Sequence, residues 1–194
     1  MALVSLAALI AGARSGALVS FPTDTVPALA VRPDRRHDIF KLKQRSPDKP
    51  LILMAANWQE LLPFLDIENE ALENWQQVTQ KYFPGALTLV LPASDRGCLL
   101  NQGFRTLGVR IPDSKIAIAI LQQTGAMLTT SANKSNQSPL RQMIEIAESF
   151  PNVLTLGEAI DVDARSGSGL PSTVIEWTAD GWLVRRQGAV TYLD

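Results

Sequence analysis

The segment Lys41-Leu42-Lys43-Gln44-Arg45-Ser46-Pro47-Asp48-Lys49-Pro50-Leu51 runs directly into the apolar stretch Leu51-Ile52-Leu53-Met54-Ala55. Four cationic side chains fall within nine residues, at the end of a helix-like pattern over residues 35–44. Two prolines then turn the chain into a predicted buried strand. Cations at such a turn suit the rim of a pocket that binds phosphate or carboxylate. They are equally typical of a solvated helix end, where the helix dipole favours Lys and Arg.

Helix-like and strand-like patterns alternate on both sides of this segment, without an internal repeat or a low-complexity linker. The apolar runs predict strands at 17–21, 51–55, 87–91, 107–111, 126–130, 153–156, 173–177 and 182–186. The helical patterns lie within 1–16, at 35–44, after Asn57, at 67–82, from Asp113 or Ser114 to 123, and at 140–149. Residues 95–103 are predicted to form a loop. The alternation predicts a single α/β domain over residues 1–194, with a mixed sheet flanked by helices.

The composition excludes several kinds of chemistry but does not point to a particular reaction. The 194 residues carry a formal net charge of -1, which gives no general argument for nucleic acid or membrane binding. A single cysteine, Cys98, cannot form an internal disulfide, and this fits a reducing, cytoplasmic location. The usual Cys/His zinc site is nearly excluded, and His37 lies among charged residues typical of a solvated helix start. No apolar run is long enough to span a bilayer. Because the chain has one histidine and one cysteine, we expect any chemistry to rest on positioning and electrostatics.

Polar side chains cluster where the predicted strands end. Ligands of α/β domains often bind there, on loops that the sheet holds in place. Each cluster also has a purely structural explanation: Asp24 can satisfy backbone N–H groups, Arg110 can face solvent from an edge strand, and Ser131 and Asn133 can form a local turn. Together, several cations and many neutral donors suit a polyanionic substrate that carries amine and hydroxyl groups.

The usual nucleotide-binding motifs are absent from the sequence. There is no Gly-x-x-x-x-Gly-Lys-Ser/Thr segment, and Gly167-Ser168-Gly169 lacks both the third glycine and the strand-to-helix context of a dinucleotide loop. We therefore predict that residues 167–169 form a flexible loop.

Seven short motifs nevertheless resemble those of one known family, the YrdC-like L-threonylcarbamoyladenylate synthases. In chain order they are Pro22-Thr23-Asp24-Thr25; Lys43-Gln44-Arg45 with Lys49-Pro50-Leu51-Ile52; Phe83-Pro84-Gly85-Ala86-Leu87-Thr88; Val109-Arg110-Ile111-Pro112; Ser131-Ala132-Asn133; Pro171-Ser172-Thr173-Val174-Ile175; and Arg186-Gln187-Gly188. Each motif is weak alone, but their order and rough spacing hold from about residue 5 to about residue 190.

The resemblance implies a twisted sheet around a deep basic cavity, and an enzyme that makes threonylcarbamoyl-AMP and pyrophosphate from L-threonine, bicarbonate and ATP. Mg²⁺ would accompany the ATP. The product would feed the threonylcarbamoyl modification of tRNA, completed by a partner transferase complex. Direct contact with tRNA or double-stranded RNA is a further expectation.

The resemblance also assigns roles to individual residues. The implied threonine contacts are Thr25, Arg110 and Ser172. The implied ATP contacts are Lys43, Arg45, Thr106, Ser131, Asn133 and Arg186. Lys43 and Arg45 are the implied catalytic cations, and Lys49 is carried over weakly because many members have histidine there.

Two departures from the family pattern stand out. Pro27-Ala28 replaces the usual Tyr-Gly, and Ser135-Asn136 replaces the usual Ser-Gly. The first removes an aromatic wall and a flexible residue, so it bears on substrate choice or activity. Two alternatives remain at this point: a non-catalytic YrdC-like module that binds double-stranded or structured RNA, and an adenylate-forming enzyme for another amino acid.

Overall fold

The structure is a computed structural model, and it describes residues 3–44, 46, 49–68, 71–134, 137–158 and 166–192. Within these residues, ten strands form one sheet. They are β1 (Leu3–Val4), β2 (Val19–Phe21), β3 (Ala28–Val31), β4 (Ile52–Met54), β5 (Leu87–Pro92), β6 (Thr106–Arg110), β7 (Met127–Ser131), β8 (Leu154–Leu156), β9 (Thr173–Thr178) and β10 (Gly181–Arg186).

The strand order across the sheet is β1-β8-β2-β3-β7-β4-β6-β5-β9-β10. Both parallel and antiparallel neighbours occur: β4 runs parallel to β6 but antiparallel to β7. The prediction of a mixed α/β sheet flanked by helices is confirmed. Strand β6 lies in the interior of the sheet, paired on both sides.

Helices pack on the sheet at positions that the capping signals largely specify. They are α1 (Leu6–Arg14), α2 (Arg36–Lys43), α3 (Leu72–Tyr82), α4 (Asp95–Leu100), α5 (Lys115–Thr124) and α6 (Met143–Ser149), with short 3-10 turns at Pro33–Arg35 and Leu62–Phe64. The hydroxyls of Ser5, Ser94 and Ser114 each accept a hydrogen bond from the backbone N–H three residues later. These caps satisfy donors that a helix start otherwise leaves unpaired.

The apolar core lies on both faces of the sheet. Successive strand residues point to opposite faces, so Leu53 belongs to the cluster around Trp75 of α3, whereas Met54 belongs to the cluster that packs α1 and α5. A smaller cluster joins Leu29 of β3 to α6. The sheet is therefore fixed from both sides.

Four elements differ from the sequence predictions. β1 and β3 were missed; β3 is four buried residues long, too short to show a period. Residues 95–100 form helix α4 rather than a loop, and the overlooked signal is the cap at Ser94. The Asn57 side chain accepts a hydrogen bond from the Glu60 N–H at 3.1 Å and donates to the Glu60 carboxylate, but the helix predicted after Asn57 is only the 3-10 turn that contains Pro63.

The core can be tested at the centre of the sheet. Leu53 is 0% exposed, so Leu53→Ala should lower the free energy of unfolding by about 2–5 kcal/mol through lost burial and the cavity left behind. Leu99, which is 72% exposed, is the matched control, and Leu99→Ala should change stability by no more than about 0.5 kcal/mol. Denaturant titration measures both. Equal effects would contradict this description of the core.

Candidate active site

A cavity of about 460 Å³ lies over one face of the sheet. Its floor follows the two-residue period of the strands: Ile52 and Met54 of β4, and Thr106, Gly108 and Arg110 of β6. The cavity thus lies over a sheet face, and the strand-end residues Arg110, Ser131 and Arg186 also line it.

The wall of the cavity combines apolar and polar side chains, and none of the described ones is acidic. Among the described residues that line it, the charged side chains are Arg110 and Arg186, and none is Asp or Glu. The neutral donors and acceptors in the wall are Thr25, Thr88, Asn101, Thr106, Thr129, Thr130, Ser131, Asn133, Gln137 and Ser172. Such a wall is suited to an anionic ligand that also carries hydrogen-bonding groups.

Arg110 ends β6 and is only 4% exposed, so the edge-strand alternative is wrong. Its guanidinium donates to the Gly85 carbonyl at 3.0 Å, the Thr25 hydroxyl at 2.8 Å and the Asp24 carboxylate at 2.7 Å. Desolvation lowers the pKa of Arg110; the Asp24 carboxylate opposes this change, and the charge of Arg186 adds to it. Three of the five N–H donors are used within the described structure, which leaves two for a ligand.

The loop between β2 and β3 supplies two of these three acceptors. Thr23 fixes the loop from inside: its hydroxyl donates to the Val26 carbonyl at 2.8 Å and accepts from the Thr25 N–H at 3.2 Å. Asp24 therefore does more than satisfy nearby backbone groups, because its carboxylate forms an ion pair with Arg110.

Lys43, in the last turn of α2, is buried at 4% exposure, so its predicted place at a pocket rim is wrong. Its ammonium donates to the Ser131 carbonyl at 2.6 Å and the Asn133 side-chain oxygen at 3.0 Å. The Ser131 hydroxyl also donates to that oxygen of Asn133, at 2.6 Å. Lys43 thus braces the polar turn after β7, and Ser131 and Asn133 line the cavity. Arg45 lies outside the described residues, as do Ser135 and Asn136.

Arg186, at the end of β10, approaches the cavity from the opposite side. Its guanidinium donates to the Ser172 carbonyl at 2.8 Å, and the Ser172 hydroxyl lies 2.8 Å from that of Thr88. Partial withdrawal from water lowers the pKa of Arg186, although the residue as a whole remains exposed at the mouth of the cavity. Both arginines remain cationic at neutral pH, because an arginine guanidinium is effectively always protonated.

Of the remaining predicted site residues, one lines the cavity and one does not. Thr106 lines the cavity, and its carbonyl accepts a hydrogen bond from Asn101. Lys49 is exposed and is not among the lining residues. Asn101, which the sequence places in a predicted loop, follows α4, lines the cavity and is 4% exposed.

Pro27 and Ala28 also line the cavity, where the family pattern has Tyr-Gly. No aromatic side chain occurs among the described lining residues. The space near Pro27 is therefore not refilled by a Trp or Phe from elsewhere in the described structure.

The described part of the chain contains no group of three or more His, Cys, Asp or Glu side chains that could hold a metal ion. In the same part, none of the helices combines the length and the apolar character needed to cross a membrane.

The ion pair under the cavity should be important for stability. Asp24→Asn should lower the free energy of unfolding by about 3 kcal/mol, because the buried charge of Arg110 loses its counter-charge. The matched control is Asp34→Asn, which breaks the solvent-exposed pair with Arg32 and should cost at most about 1 kcal/mol. Denaturant unfolding of both variants measures the difference. An Asp24→Asn protein as stable as the control would show that Arg110 does not need Asp24.

Known proteins resemble this chain in sequence. A family model named Sua5_yciO_yrdC, described as telomere recombination, matches residues 12–188. The threonylcarbamoyl-AMP synthase of Vibrio vulnificus is 35% identical over 148 residues, which cover 74% of this chain and 79% of that protein.

Solved structures resemble it as well. P. abyssi Sua5 complexed with L-threonine matches with a TM-score of 0.83 and 28% identity, over 94% of this chain and 54% of that one. E. coli YciO matches with a TM-score of 0.76 and 25% identity, over 94% of this chain and 88% of that one. This chain spans about half the length of the Sua5 protein. The family model covers most of the sequence, and the chain belongs to the Sua5/YciO/YrdC family.

Proposed function

We propose that this chain is a threonylcarbamoyl-AMP synthase that uses L-threonine, bicarbonate and ATP and releases pyrophosphate. One observation carries the proposal: a single cavity gathers Thr25, Thr106, Arg110, Ser131, Asn133, Ser172 and Arg186, with two arginines and no carboxylate among its described lining residues. The names of the curated relatives support it. So does the similarity to P. abyssi Sua5, whose structure is complexed with L-threonine.

L-Threonine is proposed to bind at the Arg110 end of the cavity. The two remaining donors of Arg110 suit the carboxylate of an amino acid, because a guanidinium offers a planar fork of N–H groups. The hydroxyls of Thr25 and Ser172 lie in the same cavity and can pair with the amine and hydroxyl groups of the substrate.

ATP is proposed to bind between the turn after β7 and the end of β10. Arg186 would face the phosphates from one side, and Ser131 and Asn133, which Lys43 holds in place, would face the nucleotide from the other. Thr106 lies on the floor between them. Arg45 is proposed to be a further cation for the ATP phosphates.

The reaction needs no protein nucleophile. Threonine and bicarbonate combine, with loss of water, to give N-carboxy-threonine. Its carboxylate oxygen forms a bond to the α-phosphorus of ATP while the bond from that phosphorus to the pyrophosphate oxygen breaks. Two anions must approach and negative charge moves onto the leaving group, so fixed cations lower the barrier by electrostatic stabilisation. We assign that role to Arg186 and Arg45, and to the charge of Lys43 acting from behind Ser131 and Asn133.

Mg²⁺ is proposed to arrive with ATP rather than to occupy a protein site. The described lining offers hydroxyl and amide oxygens but no carboxylate, and Mg²⁺ in nucleotide sites is commonly held by substrate phosphates together with one or two carboxylates. This wall therefore does not by itself provide a Mg²⁺ site. When bound to the phosphates, the ion would neutralise part of their charge.

The product is proposed to pass to a threonylcarbamoyl-transferase complex that modifies tRNA in the cytoplasm. The alternative of a non-catalytic RNA-binding module is not favoured, because the curated relatives are named as synthases. It is also disfavoured by the burial of Arg110 and Lys43, each only 4% exposed, which cannot reach the backbone of an RNA duplex.

The proposed reaction makes a strict requirement for its substrates. Pyrophosphate release by the purified protein should require ATP, a divalent cation, bicarbonate and L-threonine together, as measured by a coupled phosphate assay and by chromatography of the adenylate. Omission of each component in turn is the control. Equal release without threonine, at saturating bicarbonate, would overturn the proposal.

Two neighbouring arginines of β10 offer a matched test of the ATP end. Arg186→Ala should weaken ATP binding by roughly 30-fold, or about 2 kcal/mol, through loss of a charge-assisted contact. Arg185 instead forms an exposed ion pair with Glu176 and does not line the cavity, so Arg185→Ala should leave ATP affinity within about twofold. Isothermal titration with a non-hydrolysable ATP analogue measures both. Equal losses in the two variants would show that the effect comes from net charge alone.

A further inference from the structure

Residues 166–169, which include the predicted loop 167–169, are tied by hydrogen bonds to two other parts of the chain. We call them the strap, because they cross the loop that carries Thr23, Asp24 and Thr25. The Ser168 N–H donates to the Asp24 carbonyl at 2.9 Å, and the Gly169 N–H donates to the Thr25 carbonyl at 2.9 Å. The two chain segments are therefore joined backbone to backbone at the two residues that hold Arg110.

The strap is held on its other side by Arg141, which precedes α6. The Ser166 N–H donates to the Arg141 carbonyl at 2.8 Å, and the Arg141 guanidinium donates to the Gly167 carbonyl at 2.9 Å. Gly169 packs directly against that guanidinium, where an added β-carbon would lie 2.4 Å from its central carbon. The strap thus has fixed contacts on both sides.

Gly167 is the point of closest approach. It has φ +60°, and a β-carbon there would lie 2.4 Å from the Thr25 carbonyl oxygen and 2.7 Å from the Thr23 carbonyl oxygen. Real β-carbons essentially never approach other atoms so closely, and the clashing atoms are backbone, which cannot move aside without moving the whole loop. A larger residue at 167 would therefore displace the loop between β2 and β3.

We propose that the strap, through Gly167, is the element that positions Asp24 and Thr25 and so aims the guanidinium of Arg110 into the cavity. This inference rests on the proposed function, because it takes Arg110 as the group that receives the threonine carboxylate. Gly167 is a positioning residue, since it acts on the site only through Asp24 and Thr25.

The effect should be confined to the threonine end of the cavity. Arg186 bonds to Ser172, which follows the strap, but Ser172 has anchors of its own. Its hydroxyl lies 2.8 Å from that of Thr88, and the next residue, Thr173, donates its N–H to the Ala86 carbonyl at 2.9 Å at the start of β9. Displacement at Gly167 should therefore not reach Arg186.

The test is Gly167→Ala, with binding of L-threonine and of a non-hydrolysable ATP analogue measured separately by calorimetry. The dissociation constant for threonine should rise at least tenfold, and that for the nucleotide should stay within about twofold. Gly181→Ala is the matched control: Gly181 also has a positive φ, +100°, but an added β-carbon meets nothing within 4 Å. That variant should bind both ligands like the wild-type protein.

A second measurement uses the unaltered protein and does not depend on the folding of a variant. Saturating L-threonine should slow hydrogen exchange of the backbone amides of Ser168 and Gly169, because the ligand fixes the loop that accepts their hydrogen bonds. The amide of Gly181, at the distant hairpin, should be unaffected.

The outcomes separate the two hypotheses. Wild-type protein that binds no threonine would overturn the proposed function and this inference with it. Wild-type protein that binds threonine, together with a Gly167→Ala protein that binds it equally well or loses threonine and nucleotide binding equally, would overturn the inference alone. Unchanged exchange at Ser168 and Gly169 on threonine binding would also overturn it.

Discussion

The burial of the Arg110 guanidinium is the constraint on which the rest of the site depends. A charge withdrawn from water is tolerated only when fixed partners replace its hydration. Here the partners are Gly85, Thr25 and Asp24, which come from segments far from Arg110 in the sequence. The fold must bring all of them to the end of an interior strand before the charge can be buried. The same condition holds the remaining donors of Arg110 in a defined direction, which is what recognition of a carboxylate requires.

Lys43, on the other side of the cavity, is also a buried charge whose hydration is replaced by fixed partners. It lies in a helix that packs outside the sheet, yet its ammonium reaches the turn after β7 and binds a carbonyl and an amide oxygen there. These acceptors carry no formal charge, so the turn stays polar without a carboxylate that would repel a nucleotide. Arg110 and Arg186, which face the cavity, can then act on an anionic ligand without competition from acidic side chains in the described lining.

The comparison with known proteins shows the family of this chain, and the geometry shows which of its residues lie together. Family membership rests on the sequence match across residues 12–188. The cavity adds which of the family-like residues lie together, and it shows that Pro27 and Ala28 lie in the same wall. A rigid proline and a methyl group stand in that wall in place of a ring and a glycine, between Thr25 and the turn after β7. This is where we expect this member's substrate preference to be set.

The sequence by itself determined the class of fold, most of the strands and helices, and seven residues of the cavity wall. It could do so because burial period, capping residues and short motifs are local properties of the chain. Only the tertiary structure decided that Arg110 lies in an interior strand and that Lys43 is buried rather than at a rim. It also decided that residues 166–169 pack against, and are hydrogen-bonded to, the loop of Thr23–Thr25. Each depends on partners tens of residues or more away in sequence, brought together by the strand order, which no local pattern records. A short element such as β3 has too few residues to show a period, whereas α4 carried a local signal in its cap at Ser94.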